Sequence, residues 1–269
     1  MIKLVENLSK DTASRLLPFF SEKLSDLFTL FSILDWTEVD GVWVQTTDGE
    51  LSALIAQKAK SKVYVCAKDF ADFYELADFI SRLGAMVVNC SSEITERIGV
   101  TAYSKVSLME LEGEPPEGRA SVVLNDNLKP VFELITRSAK KQLSDSKTLD
   151  SAQLKKLSER AYKQWLSAAS RGIFNGYTQV RAVKAGERSV LSVAIADILG
   201  GNVYIRDVAT DEEFRKMGYA TDCISGICSD LKKQSDRIFL ACADVQTESF
   251  YKKSGFCRKE YLDVGIIEI

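Results

Sequence analysis

Histidine is absent from this sequence of 269 residues. Without an imidazole, Ser-His-Asp and Cys-His mechanisms are excluded, and a zinc site is a poor reading because its usual nitrogen ligand is missing. Any acid or base must come from Asp, Glu, Tyr, Lys, Cys or water. Cys-x-x-Cys is missing too. The six cysteines, Cys66, Cys90, Cys223, Cys228, Cys242 and Cys257, sit mostly inside apolar stretches, where a free thiol behaves as a small hydrophobe. No apolar run approaches the length of a membrane span. No charged-then-apolar leader opens the chain, which also makes disulfides a poor expectation. Charge of one sign is lacking as well: 35 basic against 38 acidic residues leave a net charge of −3, and so no basic field for nucleic acid. The expectation is a soluble cytoplasmic protein with neither nucleic-acid nor membrane partners. Proline is scarce, with four in all, and two adjoin in Glu112-Gly-Glu-Pro-Pro-Glu-Gly118. Glycine on both sides makes this the clearest linker, dividing a domain at residues 1–115 from one at 119–269.

What is present is ample apolar content, 46% of the chain, enough for one large or two small domains. In the first half, Ile2–Val5 reads as a short strand, and Ser9–Thr12 offers caps for a helix through Phe20. Leu24–Leu34 reads as a second helix. Gly41–Ala56 is a hairpin about Asp48-Gly49. Ser61–Ala67 is a strand, Phe70–Leu83 an amphipathic helix ending at Gly84, and Met86–Cys90 a strand. Ser104–Leu111 alternates in strand fashion.

The second half opens with a strand at Ala120–Leu124 and a helix start at Asn127–Ile135, with Pro130 tolerated in its first turn. A polar stretch spans Lys140–Thr148. Asp150-Ser-Ala-Gln153 reads as a capping box for a long helix with Leu154, Leu157, Ala161, Trp165 and Ala168 on one face, ended by Gly172. Thr178–Val183 and Ser189–Leu199 form a hairpin across Lys184–Glu187, and Gly200-Gly201 turns into the strand Asn202–Val208. Then Asp211, Glu212 and Glu213 break the apolar run, and Arg215, Gly218 and Ala220 follow at the spacing Arg-x-x-Gly-x-Ala. Ala220, Ile224, Ile227 and Leu231 recur at helical intervals. A loop entering a helix in this way turns free N–H groups toward one point, where the helix dipole adds positive charge. Gly218 lets a bulky anion approach, Ala220 keeps the next turn slim, and Arg215 can add a charge-assisted bond. Pyrophosphate is the natural guest, although three fixed positions equally describe an ordinary surface loop. Ile238–Cys242 is a further buried strand, and Phe250-Tyr-Lys-Lys-Ser-Gly-Phe256 closes a short helix.

The order strand, Arg-x-x-Gly-x-Ala, helix, strand, Phe-Tyr-x-x-x-Gly-Phe resembles the GCN5-related N-acetyltransferase (GNAT) superfamily, most specifically over residues 203–257. The resemblance implies a mixed α/β domain in the second half. The first half, with a matching succession of elements, is expected to be a degenerate copy: after Val63–Cys66 come Ala67-Lys-Asp-Phe-Ala-Asp72, without glycine and with two carboxylates that cap a helix but repel a pyrophosphate. The family's cofactor is acetyl-CoA. The resemblance implies that its pantetheine would pair with the strand edge at Val208, Ala209 and Thr210. Its pyrophosphate would lie on Arg215, Lys216, Met217, Gly218, Tyr219, Ala220 and Thr221. Lys216 stands where the family usually has glycine, and Asp244 where it often has asparagine. An amine of a small molecule or peptide would attack the thioester directly, with the Val208 N–H facing the oxyanion. Tyr251 occupies the position of the proton donor, and Asp207 or Asp197 are candidate bases, Asp207 first. Ser170–Val183 resembles an arginine-bearing segment of one GNAT subgroup, with Asn175 in place of its histidine, and the acceptor cleft is expected around Arg171–Tyr177. A CoA-binding module without catalysis and a purely structural α/β protein are the alternatives. A homodimer formed through the first half is compatible with the sequence.

Overall fold

The structure, a computed structural model, describes residues 1–6, 10–34, 39–115, 117–118, 121–142, 151–186 and 189–266. Ser9, Pro116, Ala120, most of the Lys140–Thr148 stretch, Asp150 of the expected capping box and Glu187 lie outside them, as do the side chains of Leu154 and Leu157.

The chain runs twice through the same ten elements. The first pass is β1 (Ile2–Leu4), α1 (Lys10–Leu16), α2 (Leu24–Ser32), β2 (Val39–Thr47), β3 (Glu50–Lys58), β4 (Lys62–Ala67), α3 (Phe73–Arg82), β5 (Val87–Ser91), α4 (Ser92–Arg97) and β6 (Thr101–Leu111). The second is β7 (Val122–Val123), α5 (Lys129–Gln142), α6 (Ser151–Phe174), β8 (Thr178–Ala185), β9 (Ser189–Leu199), β10 (Asn202–Thr210), α7 (Tyr219–Leu231), β11 (Arg237–Cys242), α8 (Val245–Lys253) and β12 (Phe256–Ile266), with short 3-10 turns on either side of α7. The chain is thus a repeat of one mixed α/β motif.

Two compact units follow from the packing. One comprises Met1–Glu110, Ala241–Tyr251 and Cys257–Ile269, and the other Leu111–Leu240 and Lys252–Phe256. In the first unit the strands lie in the order β1-β2-β3-β4-β5-β12-β6. The β2–β3 hairpin turns through Asp48 and Gly49, both at positive φ, as an Asp-Gly two-residue turn requires. β4 and β5 are parallel, the crossover being α3. Phe73, Leu76 and Ile80 on one face of α3 pack on Ile55, Val63, Val65 and Val88. The neighbour of β5 is β12, antiparallel from Leu262↔Ser91 to Ile266↔Val87. Sequence patterning did not anticipate β12 or α4. In β12 the alternation is broken by Glu260, which accepts from the Ser25 backbone N–H and hydroxyl at 2.9 and 3.0 Å, and by buried Asp263, which accepts from Ser92 at 2.9 Å.

In the second unit the order is β11-β10-β9-β8-β7. α5 and α6 cover one face over Val180, Ala182, Val193, Ile195 and Ala209. α7 buries Cys223, Ile224, Ile227, Cys228 and Leu231. The expectation that Gly172 ends α6 is corrected: the helix runs on to Phe174. Its end is set by Gly176 at φ 71°, with Tyr177 N–H donating to the Gly172 carbonyl at 2.9 Å and Gly176 N–H to that of Ile173 at 3.1 Å, the two bonds of a Schellman cap. Gly172 serves close approach instead. A Cβ there would meet Thr178 Oγ1 at 2.2 Å and Thr178 Cβ at 2.6 Å. Gly172→Ala is therefore expected to lower stability by about 1–3 kcal/mol in urea unfolding, whereas the same change at a helix position with room for a methyl group would raise it.

Candidate functional site

The site grows from a defect in β10. Its parallel pairing with β11 runs from Asn202↔Arg237 to Ile205↔Leu240. On the other side it pairs with β9 as far as Arg206↔Ile195 and resumes at Ala209↔Val193, so Asp207 and Val208 stand together opposite Ala194. This is a β-bulge, which bends the strand and re-aims its groups. Asp207 takes it at φ 52°, a left-handed conformation that Asp tolerates better than most residues. Arg206, just before it, is held from two sides. Its Nε donates to Asp197 Oδ2 at 2.5 Å, its Nη2 lies 3.4 Å from Asp197 Oδ1, and its Nη1 donates to the Asp207 carboxylate. Asp197 also accepts from the Thr178 hydroxyl at 2.7 Å. Burial disfavours the Arg206 charge, but the carboxylates of Asp197 and Asp207 more than offset it, and its pKa lies above the ordinary arginine value.

Beyond the bulge, Ala209 is buried and its carbonyl accepts from the Ser192 hydroxyl at 3.1 Å. The Thr210 hydroxyl lies 2.9 Å from that of Ser192. Asp211 caps the 3-10 turn Glu212–Phe214, accepting from Glu213 N–H at 3.3 Å. Arg215 folds back, its Nε donating to the Thr210 carbonyl at 3.4 Å. Lys216 at φ 63° and Gly218 at φ 89° flank Met217, which is not at positive φ. Alternation of hand along the backbone is how a nest of N–H groups forms around an anion. Gly218 is then the N-cap of α7, with no side chain to accept from the first-turn amides. Arg215, Lys216 and Met217 are exposed, and Tyr219, Ala220 and Thr221 partly so. The α7 N-terminus thus offers amides and dipole to whatever anion approaches. In the first unit the equivalent helix α3 is closed. Asp72 caps it, accepting from Glu75 N–H at 3.0 Å, and Gln45 occupies the Asp72 N–H at 3.0 Å.

Tyr251 lies on α8, buried beside Phe250 with ring centroids 5.1 Å apart. Burial, with Cys242 and Asp244 in support, pushes its phenol pKa above the ordinary tyrosine value, so it stays protonated at neutral pH. Asp244 is the cap of α8: it accepts from Thr247 N–H at 2.7 Å and from the Thr247 hydroxyl at 2.6 Å, bonds that hold its pKa below the usual carboxylate value. The structure thus gathers Asp207 through Thr221 along one stretch of the second unit, while Tyr251 and Asp244 belong to the first. In the segment Arg171–Tyr177, Asn175 donates to the Arg171 carbonyl at 2.8 Å and Phe174 is 90% exposed.

Two features escaped the sequence reading. One is Arg206, whose partners are spread over β9 and β10. The other is Arg137 of α5, which bonds Asp211 at 2.8 Å. Arg137 and Asp211 lie on a cleft of about 420 Å³ that Leu134, Ser138, Thr210, Glu213 and Arg215 also line. A charged residue inside an otherwise apolar strand was the available signal for Arg206. None existed for the Arg137 contact, which spans 74 residues. Among the described residues, no three His, Cys, Asp or Glu side chains cluster to hold a metal, and no helix is long and apolar enough to cross a membrane.

Residues 140–256 match the Acetyltransferase (GNAT) family. No curated protein matches the sequence. Among solved structures, a GNAT-family acetyltransferase from Colwellia psychrerythraea superposes with a TM-score of 0.62 at 10% identity, over 99% of this chain and 100% of its own. A tandem GNAT protein from the clavulanic acid biosynthesis pathway gives 0.59 at 10% identity, over 98% and 97%. A GCN5-related N-acetyltransferase from Kribbella flavida gives 0.54 at 12%, over 98% of each chain. These likenesses carry the fold across the whole length. Residues 140–256 thus carry the likeness to GNAT-family acetyltransferases, and the first half repeats the GNAT fold without the phosphate signal.

The loop Arg215–Thr221 depends on its glycine. At φ 89° an L side chain is strained, and the left-handed region costs about 1–2 kcal/mol for a residue with a Cβ. Gly218→Ala is expected to lose that amount in chemical denaturation. Lys216→Gly, at φ 63°, should lose less than the ~1 kcal/mol typical of a new glycine, because relief of the left-handed strain offsets the added chain entropy.

Proposed function

We propose that the protein transfers the acetyl group of acetyl-CoA to a primary amine of a small molecule or peptide by direct attack. The observation that carries this reading is the uncapped N-terminus of α7 behind Gly218, set beside a strand whose parallel pairing with β11 stops at Ile205. The diphosphate would rest on the backbone of Arg215–Thr221, with the Arg215 and Lys216 side chains adding charge. The pantetheine amides would pair along Val208, Ala209 and Thr210 as an added strand does.

In the reaction the amine nitrogen attacks the thioester carbon. The new oxyanion is met by the Val208 N–H, and the C–S bond then breaks. The departing thiolate takes the phenolic proton of Tyr251, which burial holds protonated at neutral pH. The proton released by the attacking nitrogen passes to Asp207, directly or through water, and returns to the phenolate through solvent. Asp244, as the cap of α8 bonded to Thr247, is occupied within the protein and takes no role on the cofactor.

Acetyl-CoA at a hundred times its Kd should stabilise the protein by about 2.7 kcal/mol in a thermal-shift titration. With an amine that the wild type acetylates, Tyr251→Phe should lower kcat by about 100-fold while the KM for acetyl-CoA stays within about threefold, since uniform binding is untouched. An unchanged kcat removes Tyr251 from the mechanism. Tight acetyl-CoA binding without turnover on a broad amine panel would make the protein a CoA-binding module.

A further inference from the structure

We propose that Arg206 is the positioning residue of this acetyl transfer, through a clamp that fixes the β10 bulge. The inference rests on the acetyltransferase reading of the site and extends it to a residue that touches neither cofactor nor acceptor. The bulge puts Asp207 and Val208 opposite Ala194, and the two groups assigned to chemistry on this strand, the Val208 N–H and the Asp207 carboxylate, are the two that the bulge re-aims. A glycine at Asp207 would hold φ 52° without strain, whereas an aspartate, though better suited than most residues, gains from an outside constraint. Arg206 supplies it. Its guanidinium spans from Asp197 on β9 to Asp207 on the bulge itself, and Asp197 is fixed in turn by Thr178 on β8. The clamp therefore anchors the irregular residue to two neighbouring regular strands.

The planar fork of arginine is what this geometry uses. One edge addresses Asp197 with Nε and Nη2, and the remaining Nη1 is left for Asp207. An ammonium is a point charge and cannot face both carboxylates in fixed directions. The clamp also holds Asp207 aligned while leaving its second carboxylate oxygen, Oδ1, for a proton. The phosphate loop, Arg215–Thr221, begins eight residues further on and takes no part in the clamp.

The test compares Arg206→Met, Arg206→Lys and Asp197→Asn with the wild type, using an amine that the wild type acetylates and calorimetry with acetyl-CoA. Arg206→Met should lower kcat by roughly 30-fold, somewhat less than outright loss of an oxyanion donor, with the Kd for acetyl-CoA within about threefold. Arg206→Lys should recover only part of the loss, and it supplies the comparison if the methionine variant fails to fold. Asp197→Asn, which keeps an acceptor but loses the charge, should fall between wild type and Arg206→Met. A kcat within twofold of wild type in Arg206→Met or Arg206→Lys overturns the proposal. So does a parallel loss of kcat and acetyl-CoA affinity, which would mark general loosening. If the wild type binds acetyl-CoA but acetylates nothing, the acetyltransferase reading fails, and the clamp is judged by backbone amide NMR spectra. In Arg206→Lys the Asp207 and Val208 resonances should shift while that of Gly218 holds still, and unchanged Asp207 and Val208 resonances overturn the clamp.

Discussion

An α-helix begins with N–H groups that have no partner inside the helix, and the two repeats of this chain treat that shortage in opposite ways. In the first, Asp72 and Gln45 satisfy the start of α3 from within. In the second, a left-handed glycine stands where the capping side chain would be, and α7 is left open. The same element order therefore yields one closed turn and one anion-ready turn. Relative to a glycine, a carboxylate cap stabilises a helix start by about a few tenths of a kcal/mol. By giving that up at α7, the second repeat keeps the partial charge of the helix available to a guest.

The rest of the site follows from the same economy of backbone groups. β10 must pair with β9 to hold the sheet together and yet departs from regular pairing at Asp207 and Val208. A bulge reconciles the two, since the ladder resumes at Ala209 after the irregular pair. Beyond it, Ser192 secures Ala209 and Thr210, and Arg215 closes back on the Thr210 carbonyl. The bulge and the loop are thus two irregular stretches on either side of a short resumed ladder at Ala209 and Thr210.

Much of this was legible in the sequence where local chemistry decides. Asp48-Gly49 announced its turn, the apolar face of α3 showed at helical spacing, and Arg215, Gly218 and Ala220 marked the loop. The failures share one cause: the deciding partner is distant in sequence. Gly172 read as a helix stop because its contact with Thr178 cannot be seen from spacing, and Gly176 performs that task. β12 carries Arg258, Lys259, Glu260 and Asp263, which break the apolar alternation of a strand. Glu260 and Asp263 are satisfied by Ser25 and Ser92, far back in the chain. The Asp207 bulge was hidden because Ile205, Val208 and Ala209 look like an unbroken strand. Arg206 was passed over because Asp197 reaches it only through the pairing of β9 with β10.

The place of β12 between β5 and β6 bears on how the molecule is made. A ribosome releases β1 to β6 long before β12 exists, so the earlier strands must wait with an open slot and unpaired main-chain groups on both sides of it. Unpaired sheet edges invite association with other chains, and domains that form during translation normally complete themselves in order of synthesis. Here the first unit is completed by a strand that is made only after the elements of the second unit, β7 to β10 and α5 to α7. Nascent chains halted within β12 would carry a finished α7 and a first unit still lacking a strand.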